Sequence, residues 1–197
     1  GIRHVDFLEK LALYTADNVG NLFSANNISR YLKSKRVNIS PLQVINYLRA
    51  LQNAYLINKV RRIDVNGLKT FEIGDKYYFE DLGLRNCHFG FNMQGDIHKL
   101  MENAIFPPVS QLRYEVFTCQ QEGGREIDFV ARINEDVVYI QSSYLMHDEA
   151  TQKREFGNLQ AITNNYPKYV VSLDEWTSGS SIDGIKHVHL GEFLQNI

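Results

Sequence analysis

Residues 126–132, EIDFVAR, and 137–143, VVYIQSS, are two β-like runs on either side of a short polar turn. A strand turns alternate side chains to opposite faces, so Glu126 shares a face with Asp128, and Gln141 shares one with Ser143. If the two runs are neighbours in a sheet, Asp128 and Gln141 converge near one sheet edge. Glu102, on a helix-like stretch before them, can lean over that edge. Two or three oxygen ligands on adjacent strands are what Mg²⁺ or Mn²⁺ requires, with water and phosphate completing the shell. Nuclease chemistry at such an ion also calls for a lysine, to stabilise developing charge and orient the attacking water.

The surrounding pattern extends the sheet. GLRNCHFGFNMQGD (83–96) reads as a polar connector, and HKLMENAIF (98–106) as a helix that should kink or end at Pro107 and Pro108. YEVFTC (114–119), KYVVSLD (168–174) and IKHVHL (185–190) read as further strands. Residues 148–163 and GEFLQNI (191–197) read as helices, Trp176 as a loop anchor and 177–184 as a loop. The predicted order α-β-β-β-α-β-β-α is a mixed sheet with flanking helices.

The first part of the chain has a different rhythm. Val5, Leu8, Leu11, Ala12 and Val19 recur at helical spacing up to Gly20. Ser24 or Asn26 can cap a short helix with Ile28, Tyr31 and Leu32 inward. Ser40-Pro41 is a helix start, since proline at the first helical position forfeits no internal hydrogen bond. That third helix carries Val44, Ile45, Tyr47, Leu48 and Leu51 on its apolar positions. Strand-like alternation then surrounds a turn at Val65-Asn66-Gly67. Three helices and a hairpin are the order of a winged helix-turn-helix, whose third helix reads the major groove and whose hairpin touches phosphate. Ser40, Gln43, Asn46 and Arg49 are the candidates on the helix, with Lys33, Lys35, Arg36, Lys59, Arg61 and Arg62 around it. Arg61 and Arg62 are adjacent on a strand and point to opposite faces.

Charge divides the chain in the same place. Residues 1–85 hold 13 Lys/Arg against 8 Asp/Glu, and residues 86–197 hold 8 against 15. A basic front half suits nucleic acid, and an acidic rear half does not. No apolar run is long enough to span a membrane, and the N-terminal stretch lacks a signal-peptide pattern. Two cysteines, Cys87 and Cys119, lie far from metal-ligand spacing. His187 and His189 alternate on a strand and need distant help to bind metal. These features predict a cytoplasmic protein without a membrane partner.

The EIDFV–turn–YIQSSY segment resembles the PD-(D/E)XK nuclease core, where an acid on one strand pairs with an acid-x-lysine on the next. The whole chain resembles the C-terminal region of a bacterial and archaeal group of AAA+ ATPases. LFSANNISRYLKS, VINYLRALQNAYLINKVRRIDVNG, KYYFEDLGLRN, HKLMEN, EIDFVA, YIQSSY, NYPKYVVSLD and the Thr151-x-x-Arg154-Glu155 motif carry the resemblance. It implies an α+β protein: a winged helix over residues 1–85, then a restriction-endonuclease-like PD-(D/E)XK domain over 86–197. It also implies a P-loop ATPase module in the same parent protein. No G-x-x-x-x-G-K-[ST] occurs in this chain, so ATP would belong to that module. The chain departs from the nuclease pattern at two positions. Position 141 is Gln, a neutral oxygen ligand, and Ser143 stands where the lysine belongs, with Lys153 the nearest substitute.

Three expectations follow. One is a degenerate, non-catalytic module that binds DNA or RNA or couples the ATPase to a partner, with Thr151, Arg154 and Glu155 as a helix-face network. Another is a Mg²⁺- or Mn²⁺-dependent nuclease built on Glu102, Asp128, Gln141 and Lys153. The last is a protein-interaction or oligomerisation module.

Overall fold

The computed structural model describes residues 5–64, 74–121, 124–175 and 178–196. The expected turn at residues 65–67 and Trp176 lie outside them. Among the described residues the chain is a mixed α+β protein with seven helices and one eight-stranded sheet. It opens with three helices, α1 (Val5–Asp17), α2 (Ala25–Ser34) and α3 (Pro41–Asn53), and a hairpin, β1 (Ile57–Asp64) and β2 (Lys76–Phe79). Two more helices follow, α4 (Leu82–Phe89) and α5 (Met93–Gln111), then β3 (Glu115–Gln120), β4 (Glu126–Ile133) and β5 (Asp136–Ser143). The chain continues as α6 (Glu149–Gln160), β6 (Lys168–Ser172), β7 (Ser181–Ile182), β8 (Ile185–His189) and α7 (Leu190–Asn196).

Local chemistry starts the helices where the sequence predicts. The Ser24 side chain accepts the Asn27 N–H, and Ser40 forms a reciprocal capping box with Gln43 ahead of Pro41. Phe7, Leu11, Ile28, Leu32, Val44, Leu48 and Leu51 are buried. Val5, Tyr31 and Ile45, expected to face inward, are exposed instead.

The strands lie in the order β2-β1-β3-β4-β5-β6-β8-β7. β1 pairs antiparallel with β2 and parallel with β3, with Arg61 opposite Phe117 and Ile63 opposite Cys119. The hairpin that follows the three helices is therefore continuous with the sheet of the second half. The boundary expected at residue 85 falls within α4 while the sheet runs across it. One core joins α1–α3, the hairpin, α5 and α7 on one sheet face; a second packs α6 on the other through Phe156 and Leu159.

Two expectations need correction. Residues 83–89 of the supposed connector belong to α4, which is capped by Asp81. This helix is held by a buried polar pin: Arg85 donates to the carbonyls of Ala16 (2.8 Å) and Gly90 (3.0 Å), tying α4 to the end of α1. Such a pin leaves no apolar periodicity to read. α5 runs through Pro107 and Pro108 to Gln111, although each proline removes a helical donor. Ile105, Phe106 and Val109 flank the prolines and are buried in the first core, so tertiary packing carries the helix past them.

The outer edge of β2 is covered. Gly20 and Phe23 N–H groups reach the carbonyls of Tyr77 (3.5 Å) and Asp75 (2.8 Å). The buried Asn103 amide accepts the Phe79 N–H and donates to the Phe79 carbonyl, both at 2.7 Å. Asn103→Leu leaves two buried backbone groups unpaired and is expected to cost about 2–4 kcal/mol in urea unfolding.

Candidate functional site

Four elements meet at the end of the sheet where β4 begins and β5 ends. Their meeting depends on an irregularity in β4. Phe117 pairs with Val130 and Cys119 with Ile127, so three steps along β4 answer two along β3. This is a β-bulge at Asp128–Phe129. It puts Ile127 and Val130 on the α6 face, and Phe129 and Ala131 on the α5 face. Asp128 is thereby released from simple alternation. Its Oδ2 accepts the backbone N–H (2.8 Å) and hydroxyl (3.1 Å) of Ser142 on β5.

The centre of the site is Lys76, on β2. It is 3% exposed at the start of a short buried strand. Its ammonium lies 2.8 Å from Glu126 Oε1 and 3.4 Å from Glu102 Oε2. The Tyr78 hydroxyl, two residues along the same face, donates to the same Glu102 oxygen at 2.8 Å. Gly20 leaves room for this carboxylate: a Cβ there would stand 2.7 Å from Glu102 Oε2, and its φ of +75° also favours glycine.

One ammonium therefore answers three carboxylates, and the titration of Lys76, Glu102 and Asp128 reflects this. Burial pulls the Lys76 pKa down, but Glu102, Asp128 and Glu126 outweigh burial and raise it. Burial raises the Glu102 carboxyl, with Lys76 and the Tyr78 hydrogen bond working against the rise. Burial, then Glu102, lift Asp128 well above the ordinary carboxylate range, against the pull of Lys76 and the Ser142 N–H. Glu155 on α6 adds a further upward push on Asp128.

The other expected site residues are placed differently. Gln141 is buried in the period-two row of Val137 and Tyr139, which pack towards α6, and its Oε1 has no hydrogen-bond partner among the described residues. The β5 side chain that meets Asp128 is Ser142, one step further on. Ser143 donates to the Leu145 carbonyl. Lys153 is exposed on α6, and the lysine beside the acids is Lys76. Arg154 pairs with the buried Glu155, while the Thr151 N–H is taken by the helix cap Asp148. Lys76 went unread because its partners are distant in sequence. A signal existed, since a lysine buried at the head of the aromatic strand KYYF requires a counter-charge.

A divalent ion does not fit this arrangement. Lys76 already stands among the carboxylates as their cation, and no group of three or more His, Cys, Asp or Glu side chains among the described residues can hold a metal.

The expected nucleic-acid residues divide into two sets. Lys59 pairs with Asp75 (2.7 Å), Arg61 with Glu115 (2.9 Å), and Arg62 donates to Gln120 (2.9 Å). Gln43 is engaged by Ser40. Asn46 and Arg49 on α3, and Lys33, Lys35 and Arg36 in and after α2, are exposed, as is Arg30, which is not among the expected residues and donates to Asn27. None of these five cations has an ion-pair partner among the described residues.

Lys76→Met is expected to lower stability by about 3–5 kcal/mol at pH 8, because it strands buried carboxylates. In the folded variant Glu102 and Asp128 hold protons above the ordinary carboxylate range. Folded stability is thus favoured at low pH and lost as the pH rises through their folded pKa values. The loss should shrink on acidification to pH 5, and Lys76→Met/Glu102→Gln should recover part of it at pH 8, as read by urea midpoints.

Residues 1–95 match the family model described as a domain of unknown function (DUF8612), a span that includes α1–α4. Over 194 residues the chain is 30% identical to a Haemophilus influenzae protein named "Uncharacterized protein". That match takes in 98% of this chain and 47% of the relative, so the chain spans about half the length of the curated protein it matches. No solved structure matches. Among the described residues, no helix is long and apolar enough to cross a membrane.

Proposed function

We propose that this chain is a non-catalytic, nuclease-like module that holds nucleic acid through α2 and α3. The observation that carries the reading is the contrast between two sets of cations. Those of β1 are engaged by carboxylates or an amide from outside that strand, whereas Lys33, Lys35, Arg36 and Arg49 are exposed with no ion-pair partner among the described residues. Exposed, unneutralised cations on consecutive helices are what release counterions when phosphate binds. The order α1-α2-α3-β1-β2 supports a winged-helix reading of this face. The acid-bearing strands with Glu102 on the preceding helix support a PD-(D/E)XK-like reading of the rest. The absence of catalysis rests on Lys76, which meets internally the charge that a metal would otherwise balance. In a longer parent protein of the resembled AAA+ type, such a module would tie ATP-driven motion to a bound strand or duplex.

The test is a binding and cleavage assay with labelled single- and double-stranded DNA and RNA in Mg²⁺, Mn²⁺ or EDTA. Binding is expected to weaken steeply with salt, with no cutting. Lys33→Ala/Lys35→Ala/Arg36→Ala should reduce the log–log salt slope by about 3, whereas Lys59→Ala should leave it nearly unchanged. Metal-dependent cutting that disappears in Asp128→Ala would replace this reading with an active nuclease. Absence of binding at low salt would shift it to a protein-interaction module.

A further inference from the structure

On the sheet face away from α6, α5 and α7 leave a cavity of about 470 Å³, within the range of small-molecule sites at roughly 300–1,000 Å³. Its floor is apolar and buried: Val109 of α5, Ala131 and Ile140 of the sheet, and Phe193 of α7. One wall is aromatic, with the Tyr169 and Phe193 rings 6.0 Å apart at an interplanar angle of 60°. Asn196 and Tyr114 also line the cavity, and its two charged lining residues, Lys186 of β8 and Glu192 of α7, are both exposed at the mouth. Neither forms an ion pair among the described residues. Lys186 nonetheless has a defined position, since its ammonium lies over the Tyr169 ring, 5.8 Å from the centroid.

The geometry points to a binding site for a small zwitterion with an aromatic body, namely a free aromatic amino acid. An apolar floor selects a large hydrophobic side chain. An aromatic pair favours a ring that can pack edge-to-face or offset against it. At the mouth, one unpaired ammonium and one unpaired carboxylate on different elements complement the carboxylate and ammonium of an amino acid. A fatty acid or simple aromatic acid would leave Glu192 without a partner, and an aromatic amine would leave Lys186 without one. This site is independent of the cationic face of α2 and α3 and of the Lys76 cluster.

The experiment is calorimetric titration of the whole chain with L-phenylalanine, phenethylamine and N-acetyl-L-phenylalanine, repeated on Lys186→Ala and Glu192→Gln. Both substitutions are at exposed positions, and circular dichroism of each variant establishes that it is folded. Saturable L-phenylalanine binding is expected, weakened about threefold to fivefold when either the ligand's carboxylate or its ammonium is removed, the scale of an ion pair at an exposed group. Lys186→Ala should abolish the preference for L-phenylalanine over phenethylamine. Glu192→Gln should abolish the preference over the N-acetyl compound. Failure of L-phenylalanine to bind at millimolar concentration would overturn the proposal. So would equal binding of all three ligands, or binding unaffected by both variants.

Discussion

The ammonium of Lys76 is a buried cation through which the two halves of the chain are joined electrostatically. It belongs to the hairpin that follows the helical front half, yet its partners come from α5 and β4. Burying two carboxylates, Glu102 and Asp128, close together is strongly unfavourable unless a cation sits among them. The bulge in β4, the glycine facing Glu102 and the Tyr78 hydroxyl all serve this arrangement. The pairing of β1 with β3 is the backbone counterpart of the same junction. A front half docked elsewhere would leave Glu102 and Asp128 buried with no cation, so the placement of the hairpin and the chemistry of the cluster are one constraint.

Features determined by neighbouring residues were legible in the sequence. The Ser40-Pro41-Gln43 box and the strands of EIDFVAR and VVYIQSS fall within a residue or two of expectation, because capping and period-two alternation act over a few residues. Legibility stopped where long-range contacts took over. α4 is fixed by Arg85 reaching the carbonyl at the end of α1, and α5 continues past two prolines because its flanking apolar residues are in the core. The candidate site followed the same rule. Glu102 and Asp128 could be singled out from strand parity and a nearby helix, whereas the bulge that makes Ser142 the partner of Asp128 depends on the register with β3. The cations divided for the same reason: Arg61 and Arg49 look alike in sequence, and only the cross-strand Glu115 distinguishes them.

The same cluster gathers acids from a helix and a strand around one buried lysine. Acids on a helix and a strand, with a lysine close by, are the raw materials of metal-assisted hydrolysis. In this chain the lysine faces inward and is 3% exposed, and Asp128 is satisfied by a backbone N–H and a hydroxyl. Groups so fully engaged with each other are well suited to holding a fold and poorly placed to receive a phosphate.

The covered edge of β2 has a consequence for how the molecule can meet partners. An open edge strand is a template for strand addition, the route by which many modules capture extended peptides and by which sheets aggregate. Here the Asp75 and Tyr77 carbonyls are occupied by backbone donors of the loop after α1, and both polar groups of Phe79 by Asn103. The opposite edge is β7, only two residues long. Strand addition at the β2 edge is therefore blocked by the chain's own backbone and by Asn103, and the β7 edge offers a ladder of only two residues.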